Sequence, residues 1–268
     1  MAKITRIANP VRPQKTIENS YRVKLNQLGR VLIKAVRDRV LTYLKMNESN
    51  YVIDSTGDDL SRIFNELNSL FTGVITAGFA DEAATSMVNT IEKTQKRQFN
   101  ESIERAVGVD LGGIIQVEGL QDFLNISISN NVSLIKSIPT QYFQQIENLV
   151  KKGVISGHRY STIEEQIISK TGINSKLANR IKLIAADQVQ TITSQLNVRR
   201  SQALGITEGI YRTSEDKKVR VCHKKLNSIR YELSKGAWSK ICQKWIQPGI
   251  TDIRCRCAYS PVIEWETL

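Results

Sequence analysis

With 268 residues, 41% hydrophobic and 24% charged, the chain has the composition of an ordinary soluble protein and enough length to bury one large core or two modest ones. No run approaches the roughly 20 apolar residues of a membrane span, and the start from Met1 to Ile7 lacks the apolar centre of a secretory signal. A reducing cytoplasm is therefore expected, where cysteines bind metal more often than they form structural disulfides.

The net charge of +12 is concentrated at the two ends. Residues 1–50 carry 11 Lys and Arg against 3 acids, and residues 212–257 carry 12 against 4. Such ends suit phosphate backbones or an acidic protein surface, because Lys and Arg release counterions from nucleic acid without reading its sequence. Solvated helix faces are the alternative.

In chain order, residues 1–19 hold Pro10, Pro13 and several basic residues without apolar periodicity, which predicts a basic extended arm that can dock on a partner. From Ser20, Tyr21, Leu25, Leu28, Leu32, Val36, Val40 and Leu44 recur at three and four and draw one helical stripe. Residues 47–59 read as a polar linker ending in an N-cap at Asp58 or Asp59. A long helical pattern from Leu60 to Ile103 follows, with a kink or break expected near Gly78 to Asp81. Residues 107–119 are glycine-rich, and no Gly-Lys-Ser/Thr ending marks a phosphate loop.

Helical periods resume from Leu120, with junctions expected at Asn130, Asn131 and Pro139. Ser161 and Glu164 form a capping-box pattern for a helix ending at Gly172, and Asn174 is placed to cap a longer helix from Ser175 to Leu204, stopped by Gly205. Strands are expected at 209–213, 229–233 and 255–262. The expected fold is mainly α, an elongated helical body followed by a small α+β C-terminal domain with a Cys/His cluster. The expected division is 1–19 arm, 20–205 helical domain and 206–268 Cys/His domain.

All four cysteines, Cys222, Cys242, Cys255 and Cys257, lie in the last 50 residues with His223. On an extended backbone Cys255 and Cys257 project to one face, and Cys222 and His223 bring further soft ligands from a separate segment, a set that a tetrahedral zinc would satisfy. Cys242 can stand in for Cys222. Reduced cysteines packed as small apolar groups, with His223 bonded to backbone or to Asp216, explain the pattern equally. Asp216 and Arg220 are spaced to form a structural polar cluster. No nucleophile, base and orienting acid stand at a recognisable spacing, so no catalytic residue is expected and the chain is not read as an enzyme.

The ordered set Asp187, Asn197, Arg200, Tyr211, Asp216, Val219, Arg220, His223, Asn227, Pro248, Gly249, Cys255, Arg256, Cys257 and Pro261 resembles the phage head morphogenesis (minor head protein) family, over roughly residues 184–262. The family pattern has Asp-x-x-Val-Arg-x-x-His, then Asn-Gly, His-Pro-Gly and Cys-Arg-Cys-x-x-x-Pro. Ser228 stands where the family has glycine, and Gln247 stands where it has the histidine before Pro-Gly. The resemblance implies a minor, portal-associated structural protein inside the head of a tailed phage, acting in head assembly and DNA packaging or retention. The implied partners are portal protein, major capsid protein and packaged double-stranded DNA. Lys217, Lys218, Lys224, Lys225, Arg254 and Arg256 are the candidate non-specific phosphate contacts. Two other readings are a zinc-dependent nucleic-acid enzyme or toxin module, and a zinc-ribbon-like DNA-binding module without catalysis.

Overall fold

The computed structural model describes residues 3–48, 53–110, 117, 119–170 and 175–266. The elements in order are β1 (Lys3–Ile7), α1 (Lys15–Ala35), a π-helical turn (Val36–Leu41), α2 (Thr42–Met46), α3 (Ile53–Leu70), a second π-helical turn (Phe71–Ile75) and α4 (Thr76–Val107). Then come α5 (Leu120–Ile155), α6 (Tyr160–Ser169), α7 (Lys176–Ala203), β2 (Glu208–Arg212), α8 (Val221–Lys224), β3 (Arg230–Glu232), β4 (Ala237–Ser239), β5 (Lys244–Ile246) and β6 (Ala258–Glu266). The protein is mainly helical, and every strand but β1 lies near the C-terminus. Among the described residues no helix is long and apolar enough to cross a membrane.

The chain separates into two compact units: residues 1–18, 86–127 and 186–268 make one, and residues 19–85 and 128–185 the other. This differs from the division at residue 205 expected from the change of texture there. The strands do begin after Gly205, but their core is completed by residues far upstream. Ala8, Val11, Phe99 and Ile103 pack in the same cluster as Tyr211, Leu226, Tyr231, Ile246 and Tyr259.

In the second unit every member of the stripe from Tyr21 to Leu44 is buried. From Leu28 the stripe advances by four residues at each step, and each such step overshoots an α-helical turn by about 40°. The wider turn at Val36–Leu41 falls within that run and takes back part of the drift, so Val36, Val40 and Leu44 stay on the buried side. α5 runs unbroken through both expected junctions. Asn131 reads as a turn signal in sequence, yet it is buried in mid-helix and accepts a hydrogen bond from the Tyr21 hydroxyl at 3.2 Å. α4 is likewise continuous through Gly78, and the irregularity lies at Phe71–Ile75 instead.

Helix ends also differ from expectation. α3 begins at Ile53, ahead of Asp58 and Asp59. α6 starts after Arg159, whose own side chain does not cap it, so Ser161 lies inside it. Ser175 caps α7, its hydroxyl accepting from the Ala178 N–H at 3.1 Å. The expected cap at Asn174 and stop at Gly172 lie outside the described residues, as do Gly112 and Gly113.

The first unit carries an antiparallel sheet in the order β1-β6-β2-β3 and a separate hairpin, β4–β5. The three strands expected after Gly205 are all present. The extended arm packs on its own chain: Lys3–Ile7 pairs along β6 from Lys3 opposite Glu266 to Ile7 opposite Val262. Ala8 and Val11 then enter the core, and Arg12 donates to the carbonyls of Thr213 (2.9 Å) and Arg256 (3.2 Å).

Candidate metal centre

β2 carries Tyr211 inward, because the alternation of the strand buries Gly209 and Tyr211 and leaves their neighbours half-exposed. The short helix α8 follows, where adjacent residues diverge by about 100° around the axis. Cys222 and His223 therefore leave in different directions. His223 points to the loop before β6, and its Nδ1 lies 3.5 Å from Cys255 Sγ, 3.6 Å from Cys257 Sγ and 3.1 Å from Tyr211 Oη. The three soft ligand atoms all fall within 4.8 Å of one another, and none of the three residues is more than 4% exposed.

Cys222 does not join them. It is disulfide-bonded to Cys242, with Cα atoms 5.9 Å apart, inside the usual range for such a bond. The four-ligand set read from sequence is thus corrected to three, and Cys242 is no substitute. The preference for metal over disulfide was an argument from compartment, and it could not register that the hairpin turn brings Cys242 back against α8.

The other face of the imidazole explains its orientation. His223 Nε2 lies 2.9 Å from Asp252 Oδ2, and Asp252 Oδ1 takes Lys244 Nζ at 2.6 Å. An Nε2–H donated to the carboxylate leaves the Nδ1 lone pair facing the two sulfurs, the arrangement in which a carboxylate fixes a metal-binding histidine. The acid is therefore Asp252, not Asp216.

The electrostatics favour a charged cluster. The hydrogen bond to Cys255 raises the His223 pKa against the lowering effect of burial, with Asp252 adding to the rise. Burial pushes the Asp252 carboxyl up, but Lys244 and His223 outweigh it and hold it below the usual range. The Cys255 thiol is pulled well down, first by the hydrogen bond from Cys257, then by His223 and the Gly249 N–H at 3.3 Å. Cys257 is pushed up by the same bond to Cys255 and by burial. Burial raises Tyr211 further, so it stays a phenol.

The donor set fits zinc. With Zn–S and Zn–N bonds of about 2.3 and 2.05 Å, tetrahedral geometry places an imidazole nitrogen about 3.6 Å from each sulfur, against 3.5 and 3.6 Å here. The residues supply two sulfurs and one nitrogen, with the Tyr211 hydroxyl beside them.

One face of α7 holds this loop in place. Asp187 Oδ1 accepts from the Arg254 N–H (2.8 Å), Gln190 Nε2 donates to the Cys257 carbonyl (3.3 Å) and to Ser194 Oγ (3.0 Å), and Ser201 Oγ meets Tyr259 Oη (2.9 Å).

The expected Asp216 and Arg220 cluster is not a pair. Asp216 bonds Arg256 at 2.6 Å, and Arg220 Nη2 donates to the Ile253 carbonyl at 2.7 Å. Lys217, Lys218, Lys224, Lys225, Arg254 and Arg256 are all exposed.

Comparison with known proteins agrees with the region that carries the site. A family described as "Phage Mu protein F like protein" matches residues 144–260, which includes His223, Cys255 and Cys257. This stretch is similar to that family. A Haemophilus influenzae strain Rd protein named only "Uncharacterized protein" is 23% identical over 186 residues, covering 69% of this chain. The aligned stretch spans 40% of that relative's length. No solved structure matches.

Sequence reasoning missed Asp252, Lys244 and Gln190, and it gave Tyr211, Asp187 and Asn197 only as family-pattern residues, without a place in the site. Asp252 had a signal: it stands three residues before Cys255, on the segment that closes the site.

Proposed function

We propose that the chain is a minor structural protein of a tailed-phage head, held inside the capsid near the portal vertex and acting in head assembly and in DNA packaging or retention. The observation that carries this reading is the phage Mu protein F-like match over residues 144–260, the stretch in which His223, Cys255 and Cys257 converge. In this reading zinc, held by His223 Nδ1 and the two sulfurs, ties the loop before β6 to α8 and contributes folding energy rather than turnover. Bound there it would hold both sulfurs as thiolates. Asp252 keeps the imidazole turned toward the sulfurs, and Gln190 and Gly249 hold the loop that bears them.

The non-catalytic reading is supported by burial. An ion between three residues at most 4% exposed is shielded from a polynucleotide phosphate, and Asp252 is already engaged by His223 and Lys244. Portal and capsid proteins are the proposed protein partners. Packaged DNA would be met through exposed Lys217, Lys218 and Arg256, contacts that weaken steeply with salt and ignore sequence.

The test is quantitative mass spectrometry of purified proheads and virions, together with metal analysis of the purified chain. A few copies per particle and about one zinc per chain are expected. A chain missing from both particles ends the head reading. Cleavage of DNA or RNA by the zinc-loaded chain, lost in Cys255→Ser, establishes the enzyme instead.

A further inference from the structure

The β4–β5 hairpin buries Ala237 and Ile246 and turns the cross-strand partners Trp238 and Trp245 outward, their ring centroids 5.4 Å apart. Nearby chain segments leave Val221, Ile241 and Ile253 exposed as well, and the five side chains are 45–66% exposed. Bonds join the segments that carry them. The Cys222–Cys242 disulfide ties the neighbours of Val221 and Ile241, the Arg220 guanidinium holds the Ile253 carbonyl, and Lys244, beside Trp245, is paired with Asp252, beside Ile253. Single exposed apolar residues are ordinary. Five large ones on cross-linked segments, two of them tryptophans in contact, have the composition that marks an interface.

The exposed charges on these segments are basic. Lys224, Lys225, Lys240 and Arg254 are exposed, whereas Asp252, the acid among these segments, is turned to His223 and Lys244. An apolar centre of Trp and aliphatic side chains inside a polar rim is the anatomy of a protein interface. Nucleic acid would stack on the tryptophans and reach the lysines, but it would leave Val221, Ile241 and Ile253 in water.

We propose that this face docks an acidic protein segment, one that presents apolar side chains between carboxylates. The proposal rests on the head-assembly reading above and names the surface that reading requires. Trp238, Trp245, Ile241 and Ile253 anchor the segment, and the lysine and arginine rim selects acidic partners by steering and by repelling basic ones.

The test uses DNA-free proheads from the phage that encodes the chain, with either the natural full chain or a Trp238→Ser/Trp245→Ser variant. Loss of at least tenfold of the variant from proheads is expected, with retention of Trp238→Phe/Trp245→Phe. Ile253→Lys, at an exposed loop position, gives the same loss if the tryptophan variant does not fold. A photo-cross-linking residue in place of Trp245 is expected to capture a segment rich in Asp or Glu and apolar residues. Equal incorporation of all variants, or a cross-link to a basic segment or to nucleic acid, overturns the proposal. Absence of the natural chain from proheads overturns the head reading itself, so the two failures are distinct.

Discussion

Gly249 offers a sharp test of how the metal-centre loop is built. It adopts φ +75°, and a Cβ there would lie 2.5 Å from Gln190 Nε2 and 3.1 Å from the Cys257 carbonyl, with Ser194 Oγ closer still. These atoms cannot give way cheaply, since Gln190 is bonded to both Ser194 and the Cys257 carbonyl. For Gly249→Ala the left-handed backbone costs about 1 kcal/mol and the overpacking about 2 kcal/mol, so the sum is about 3 kcal/mol. At roughly 2–4 °C per kcal/mol for a chain of this size, the thermal transition should fall by about 6–12 °C. Gly205 supplies the control, because it has nearly the same φ of +72° and open space where its Cβ would go. Gly205→Ala should therefore cost only about 1 kcal/mol. Thermal unfolding of the two full-length variants by circular dichroism decides it. If Gly249→Ala shifts the transition no further than Gly205→Ala, the close approach of α7 to this loop is refuted.

Asp252→Asn keeps the histidine but removes the carboxylate that orients it, and zinc affinity should fall about 10- to 100-fold in competition with a chromophoric chelator; an unchanged affinity removes Asp252 from the site. Reducing the Cys222–Cys242 bond, which spans 20 residues, should cost about 3 kcal/mol, and Cys242→Ser should match the reduced protein in melting temperature. Glu264 is held down to about 2 by hydrogen bonds from Lys3 and Arg230. A carboxyl lowered on folding stabilises above its unfolded pKa and loses that contribution as pH falls toward its folded one. The effect should disappear between about pH 4.5 and 2, and Glu264→Gln should flatten acid unfolding in that window; a slope as steep as that of the natural chain counts against the ion pairs joining β1, β6 and β3.

What sequence made legible was what repeats or what chelates. The stripe from Tyr21 to Leu44, the start of α7 near Ser175 and the strands after Gly205 followed from periodicity and punctuation. The meeting of His223 with Cys255 and Cys257 followed from residue type and spacing. The rest was hidden because its cause is tertiary. Pro139 and Asn131 signal breaks locally, but α5 is held by packing, and Asn131 finds its partner in Tyr21. The arm has no apolar period because it forms an edge strand and buries only Ala8 and Val11 beyond it. The pairing of Cys222 with Cys242 depends on where a three-residue hairpin strand turns, which no spacing rule encodes.

The feature least visible in sequence is the one that organises the first unit. Asp187, Gln190, Ser194, Asn197 and Ser201 are spaced at three and four along α7 and so share a face, yet all five are polar. An apolar-period reading assigns such a face to solvent. Here Gln190, Ser194, Asn197 and Ser201 are buried, and four of the five residues bind other parts of the chain: Arg254, Cys257, Val11 and Gln95, and Tyr259. Buried polar groups are tolerable only when each finds a partner, and a partnered set fixes register more strictly than an apolar face of the same area. α7 thereby sets the height of the loop bearing Cys255 and Cys257, and the arm, through Val11 and Arg12, closes the same loop from another segment. Removing Gln190 or Asn197 should for that reason loosen the thiol pair before it unfolds the helix.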